Sequence, residues 1–207
     1  LEAGSVQIGV KAGGVEVSVP WYELGHMLVA GISGAGKSNF LRLLAYQAIA
    51  DGAHLMLCDL DETTFPMLEN HPALVQPTAS DAEGALQLVR DALAECDRRA
   101  ELYKQAPGYP EKIEEYNLIA ARNGWEILPR MLVVLDEFNA TVTAAGGPES
   151  ELAKQVMSLA WRGRKFGLNL VLSAQEFSKG IIGKVQSHMQ TVICFRVQSH
   201  ETARAVG

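Results

Sequence analysis

Cysteine is scarce in this chain of 207 residues: Cys58, Cys96 and Cys194 are odd in number and far apart. That excludes a disulfide scaffold, and no Cys/His cluster has zinc spacing. Each cysteine lies in an apolar or helical segment, so reduced, buried thiols in a cytosolic protein are expected. Long apolar runs are missing too. The longest, Met131–Leu135 and Leu168–Ala174, have the length of strands, far short of the roughly 18 residues a membrane-spanning helix needs. Leu1 to Pro20 has no basic start followed by an apolar block, so no secretory leader is read there. Positive charge is also in short supply, with 18 Lys and Arg against 24 Asp and Glu, a net charge of −6. This counts against a broad basic face that binds nucleic acid by itself, and leaves room only for local basic loops. What remains is ordinary globular composition, 48% hydrophobic and 20% charged, enough for one domain with a real core.

Val6, Ile8 and Val10 alternate, then Val15, Val17 and Val19, with Gly13-Gly14 between them. The pattern predicts an N-terminal β-hairpin within residues 1–20. Met27–Ala30, His54–Cys58, Met131–Leu135, Leu168–Ala174 and Thr191–Val197 read as strands. Helices are expected over Asn39–Ala50, from a capping box at Ser80-Asp81-Ala82-Glu83 onward, over Glu111–Arg122, and over Glu149–Phe166 with Gly167 as its C-cap. Ala144–Pro148 reads as a loop. Continuous apolar strands alternating with helices predict an α/β fold with a mostly parallel central sheet covered on both faces. Residues 97–127 form a charged helical insert within this single domain. The chain stops just after a strand, which reads as a fragment of a longer protein.

Gly31-Ile32-Ser33-Gly34-Ala35-Gly36-Lys37-Ser38, followed by Asn39, fits the phosphate loop G-x-x-x-x-G-K-[ST] in full, with an apolar strand before it and a helix after it. Glycines let the backbone N–H groups wrap an anion, and the helix N-terminus adds partial positive charge. Lys37 suits the β- and γ-phosphates and the Ser38 hydroxyl suits Mg²⁺. Met131–Leu135 runs into Asp136 and Glu137. Asp136 is expected to hold Mg²⁺ and Glu137 to act as general base toward an attacking water, which separates a hydrolytic machine from a switch or a kinase. Gln175 leaves the carboxyl end of the next strand, where it is expected to sense the γ-phosphate. Arg162, Arg164 and Lys165 end the preceding helix; a cation there suits the helix dipole or a neighbouring subunit's phosphate.

Taken in order, these segments resemble the FtsK/SpoIIIE-type DNA translocases of the FtsK–HerA group of RecA-like motors. The resemblance runs through residues 20–44, 96–106, 114–117, 128–138, 159–175 and 193–204. It implies a RecA-like P-loop ATPase that uses ATP and Mg²⁺ and works as a homo-oligomer, a hexameric ring around double-stranded DNA, in the cytoplasm. By motif position it implies Lys37 and Ser38 as phosphate and Mg²⁺ residues, Asp136 and Glu137 as the Walker B pair, Gln175 as sensor and Arg164 as a finger acting in trans. Arg204 matches a further arginine of the family's closing segment. The chain departs from the family where Asp-Pro-Lys is usual and Asp59-Leu60-Asp61 stands instead, and where Asn139-Ala140-Thr141 follows the acids in place of Ala-Asp-Leu. Neither the family's membrane-spanning segment nor its sequence-reading winged-helix module is read within these 207 residues.

The acidic balance is compatible with DNA if a ring repeats a few pore cations, with Lys179 and Lys184 as candidates. The alternative is the same motor with another cargo, a coupling ATPase of a secretion or conjugation system that moves protein or protein-linked DNA. A GTP switch is disfavoured because no Asn-Lys-x-Asp base reader occurs. A small-molecule kinase would need residues 97–127 as a lid.

Overall fold

The computed structural model describes residues 4–177, 179–183 and 185–198. β1 (Ser5–Val10) and β2 (Glu16–Pro20) pair as an antiparallel hairpin closed at Gly13-Gly14, both with positive φ. One turn of helix, α1 (Trp21–Leu24), leads into β3 (Met27–Ala30). With β4 (His54–Cys58), β5 (Met131–Leu135), β6 (Leu168–Ala174) and β7 (Thr191–Cys194), β3 forms a five-stranded parallel sheet in the order β4-β5-β6-β3-β7. The α/β class with a parallel sheet and a hairpin is as the sequence predicts.

Both faces of the inner strands are covered because most of their positions are apolar on both sides. Met27, Val29, Leu55, Leu57, Leu132 and Val134 pack with α2 (Lys37–Ala50) and with Val6 of the hairpin. Leu28, Met56, Cys58, Val133 and Leu135 pack on the other side. There they meet α3 (Ala82–Gln105), α4 (Ile113–Asn123), α5 (Phe138–Ala144) and α6 (Glu151–Arg162). The charged stretch after residue 97 continues α3, and its Arg99 and Tyr103 are buried in that layer. Arg99 is held by Glu95 (Nε to Oε1, 2.6 Å) and by the Phe166 carbonyl (Nη1 to O, 2.7 Å).

Several boundaries differ from expectation for physical reasons. α2 starts at Lys37, because Gly36 in the left-handed region (φ 109°) turns the loop into the helix two residues early. The predicted capping box is not formed. Asp81, one residue later than Ser80, is the N-cap and accepts from Gly84 N at 2.7 Å. Glu111–Arg122 is replaced by α4 over Ile113–Asn123. The expected helix 149–166 stops at Arg162 and tightens into a 3₁₀ turn over Gly163–Phe166. Gly167 then caps at φ 76°, where a Cβ would lie 2.4 Å from Ile113 Cδ1. α5 is unforeseen: Asn and Thr have weak helix propensity, and burial of Phe138 and Val142 overrides it. β7 ends at Cys194 rather than Val197, although Phe195 N still donates to the Ala30 carbonyl at 2.8 Å.

The cysteine reading is also corrected. Cys58 and Cys96 are buried free thiols that burial pushes up to about 12, but Cys194 is exposed on the edge strand β7. Among the described residues, no helix is long and apolar enough to cross a membrane.

Candidate nucleotide site

The carboxyl ends of β3, β4, β5 and β6 open on one edge of the sheet, where ligands of open α/β folds lie. A cleft of about 270 Å³ there is lined by Ser33, Gly34, Gly36, Lys37, Ser38 and Asn39 from the loop and first turn of α2. Asp59, Asp61, Thr63, Thr64, Asp136, Glu137 and Gln175 complete its wall. Gly31 and Ala35 belong to the loop but do not face the cleft: Gly31 N donates to Ala174 O, and Ala35 N to Ile32 O.

Lys37 is buried, and its Nζ lies 2.8 Å from Glu137 Oε1 and 3.3 Å from Asp136 Oδ1. Burial pulls the ammonium pKa down, and the charges and hydrogen bonds of the two carboxylates outweigh it, so the net shift is upward. Glu137 stands in the left-handed region (φ 49°) as the N-cap of α5, an uncommon conformation for a non-glycine residue. That turn aims its carboxylate back at the loop, where Oε1 also accepts from Gln175 Nε2 at 3.4 Å. The Asn139 amide donates to the Glu176 carbonyl and ties α5 to the segment after β6. Lys37, Asp136, Glu137 and Gln175, read as one set from sequence, are thus brought together.

Arg164 is not at this cleft. It is exposed at the opposite edge of the sheet, donates to the Tyr22 carbonyl at 3.3 Å, and lines a cavity of about 840 Å³ with Trp21, Arg130, Trp161 and Asn169. Lys184 and Arg204 lie outside the described residues, as does the side chain of Lys179.

Asp59, Asp61, Thr63 and Thr64 on the cleft wall carry no site role predicted from sequence, and two of them bear on Asp136. Thr64 Oγ1 donates to Asp136 Oδ2 at 2.7 Å, and Asp59 Oδ2 accepts from Thr64 N and Phe65 N at 2.7 and 3.0 Å. Asp59 was visible as the acid closing a strand; nothing in a run of Glu62-Thr63-Thr64 marks the second threonine.

The residues suit a magnesium nucleotide. A buried ammonium and the unpaired N–H groups of a helix start suit phosphate oxygens. The Ser38 hydroxyl and the Asp136 carboxylate are hard oxygen donors of the kind Mg²⁺ takes.

A sheet of this topology with such a loop at its carboxyl edge defines a P-loop nucleoside triphosphatase. A sequence profile of the FtsK/SpoIIIE family matches residues 4–179, and the chain belongs to that family. It is 32% identical over 181 residues to DNA translocase FtsK of Helicobacter pylori (strain J99), a stretch covering 84% of this chain and 21% of that protein. With DNA translocase FtsK of Halalkalibacterium halodurans it shares 28% identity over 214 residues, 98% of this chain and 26% of the relative. The chain therefore spans about a fifth to a quarter of these relatives. Among solved structures it is similar to the conjugation coupling protein TcpA of pCW3, monomer form with ATPγS. The TM-score is 0.82 at 25% identity, covering 99% of this chain and 58% of TcpA. The cytoplasmic domain of EssC shares the fold, with a TM-score of 0.83 at 21% identity over 99% of this chain and 40% of EssC. The chain is a P-loop ATPase domain of this family.

Proposed function

We propose that this domain hydrolyses ATP with Mg²⁺ to drive double-stranded DNA through a homo-oligomeric, hexameric ring in the cytoplasm. The observation that carries the reading is the convergence of Lys37, Asp136, Glu137 and Gln175 on one cleft, in a family whose matched relatives are named DNA translocases. Lys37 leaves its carboxylate partners to hold the β- and γ-phosphates, and the loop N–H groups orient the chain of phosphates. Ser38 and Asp136 would hold Mg²⁺, which when bound supplies positive charge to neutralise the phosphate oxygens. Glu137, released from Lys37, orients the attacking water and takes its proton. Gln175 donates toward the terminal phosphate and couples its loss to the segment after β6.

Arg164 completes a neighbour's cleft. Its exposure at the far edge of the sheet supports this, since a head-to-tail ring juxtaposes opposite edges of successive subunits. Contacts to DNA are to phosphates, from a few cations repeated around the ring, so binding weakens with salt and reads little sequence.

The likeness to TcpA favours a second reading, a coupling ATPase that moves protein or protein-linked DNA. ATPase activity with and without long duplex DNA, on protein of measured oligomer mass, separates the two. Stimulation supports the DNA motor; its absence in a verified ring favours the second cargo.

A further inference from the structure

We propose that Thr64 is a positioning residue for the carboxylate of Asp136, and that the segment from Asp59 to Phe65 is a strut built to present it. The proposal rests on the reading of Asp136 as the Mg²⁺ residue and goes beyond it.

Both residues are buried, Thr64 at 2% and Asp136 at 3% exposure. The two oxygens of Asp136 have different partners. Oδ1 accepts from Glu137 N at 3.0 Å and from Lys37 Nζ at 3.3 Å. Oδ2 accepts from Thr64 Oγ1 at 2.7 Å, a short bond of the charge-assisted kind. Lys37 is the partner that a bound phosphate draws away. Thr64 is held by Asp59 and Arg42 rather than by Lys37, so its bond keeps Oδ2 in place when Lys37 moves, and Oδ1 is freed of one of its two partners.

Thr64 lies outside any helix or strand, and its place is fixed from three sides. Asp59, at the end of β4, accepts from the backbone N–H groups of Thr64 and Phe65. Arg42 on α2 donates from Nε to the Thr64 carbonyl at 2.9 Å and from Nη2 to the Thr63 carbonyl at 3.3 Å. Phe65 is buried among the α2-side core residues. The strut thus links the helix that carries Lys37 and Ser38 to the strand end that carries Asp136. Without the hydroxyl, the terminal torsion of Asp136, a broad two-fold one, is held only through Oδ1, and Oδ2 is a buried acceptor without its donor. Losing an outer partner of a metal-holding group costs about 10- to 100-fold in metal affinity.

The test is the affinity of a fluorescent ATP analogue for the full chain, titrated once with Mg²⁺ and once with a chelator. Wild type gains affinity from Mg²⁺. Thr64→Val is expected to lose about 10-fold or more of that gain while its metal-free affinity stays within about twofold, and Thr64→Ser is expected to restore the gain. Thr64→Ala removes the same hydroxyl and replaces the valine variant if that one does not fold. A Thr64→Val protein with the wild-type gain, or one whose two affinities fall equally, overturns the proposal. If wild type shows no gain, or Asp136→Asn keeps it, the reading of Asp136 fails first and the proposal with it.

Discussion

At the residue scale the site is organised around one buried ammonium. Lys37 is the counter-ion of both Asp136 and Glu137 before any phosphate arrives. Removing it leaves two carboxylates facing each other in a poorly solvated cleft, and breaking a buried pair costs about 3–5 kcal/mol. Lys37→Met should therefore abolish nucleotide binding and also lower stability by about 3 kcal/mol in urea unfolding. Unchanged stability would mean that the ion pair seen here does not persist in solution. Because the Lys37 pKa is raised, this stabilisation is complete below the ordinary lysine value and is lost only as pH climbs through the raised one. His26 behaves in the opposite sense. Burial lowers it to about 4; the Ala160 carbonyl opposes the shift, and the charges of Arg164 and His188 add to it. Its Nδ1 accepts from Leu170 N at 2.9 Å, which the neutral ring alone can do. Between about 4 and 6.5 the unfolded chain binds the extra proton, so stability falls as pH drops through that window. The loss attributable to His26 approaches about 3 kcal/mol at its lower end. Thermal midpoints measured from pH 7 to pH 4 should drop less steeply in His26→Gln than in wild type.

At the scale of elements, strands were legible and helix ends were not. Met27–Ala30, His54–Cys58, Met131–Leu135 and Leu168–Ala174 appear with the bounds the sequence predicts. A doubly covered parallel strand reads as a near-continuous apolar run, and that signal needs no partner to be read. Helix boundaries depend on which of several neighbouring oxygens wins a cap. Ser80 and Asp81 both qualify, and the backbone entered the helix at Asp81. Asp81→Ala should then cost about 1 kcal/mol while Ser80→Ala stays near neutral; the reverse order in denaturant titrations would reinstate the capping box. α5 escaped notice because its stability is tertiary, drawn from Phe138 and Val142 on the core. The same holds for the site. Lys37, Asp136, Glu137 and Gln175 were readable because their spacing within motifs is local. The bond from Thr64 to Asp136 spans 72 positions in the chain, and no local pattern encodes it.

At the scale of the whole molecule, the proposed function uses two edges of one sheet. The carboxyl edge holds the nucleotide cleft, and the opposite edge holds Arg164 beside its own larger cavity. A single copy cannot use both on one nucleotide, which is the physical basis for expecting a ring despite the net charge of −6. Arg164→Ala should lower hydrolysis by the assembled protein about 10³-fold, the scale of an arginine finger, and leave the nucleotide affinity of the separate chain within about twofold. A parallel loss of affinity in the separate chain would assign Arg164 to the fold instead. Movement itself is most directly read from a fluorescent third strand annealed to a long duplex. Assembled wild-type protein should strip that strand only when ATP is present, and Glu137→Gln protein, still able to bind ATP, should not. An assembled wild-type ring that consumes ATP on this duplex and leaves the third strand bound would contradict the DNA motor.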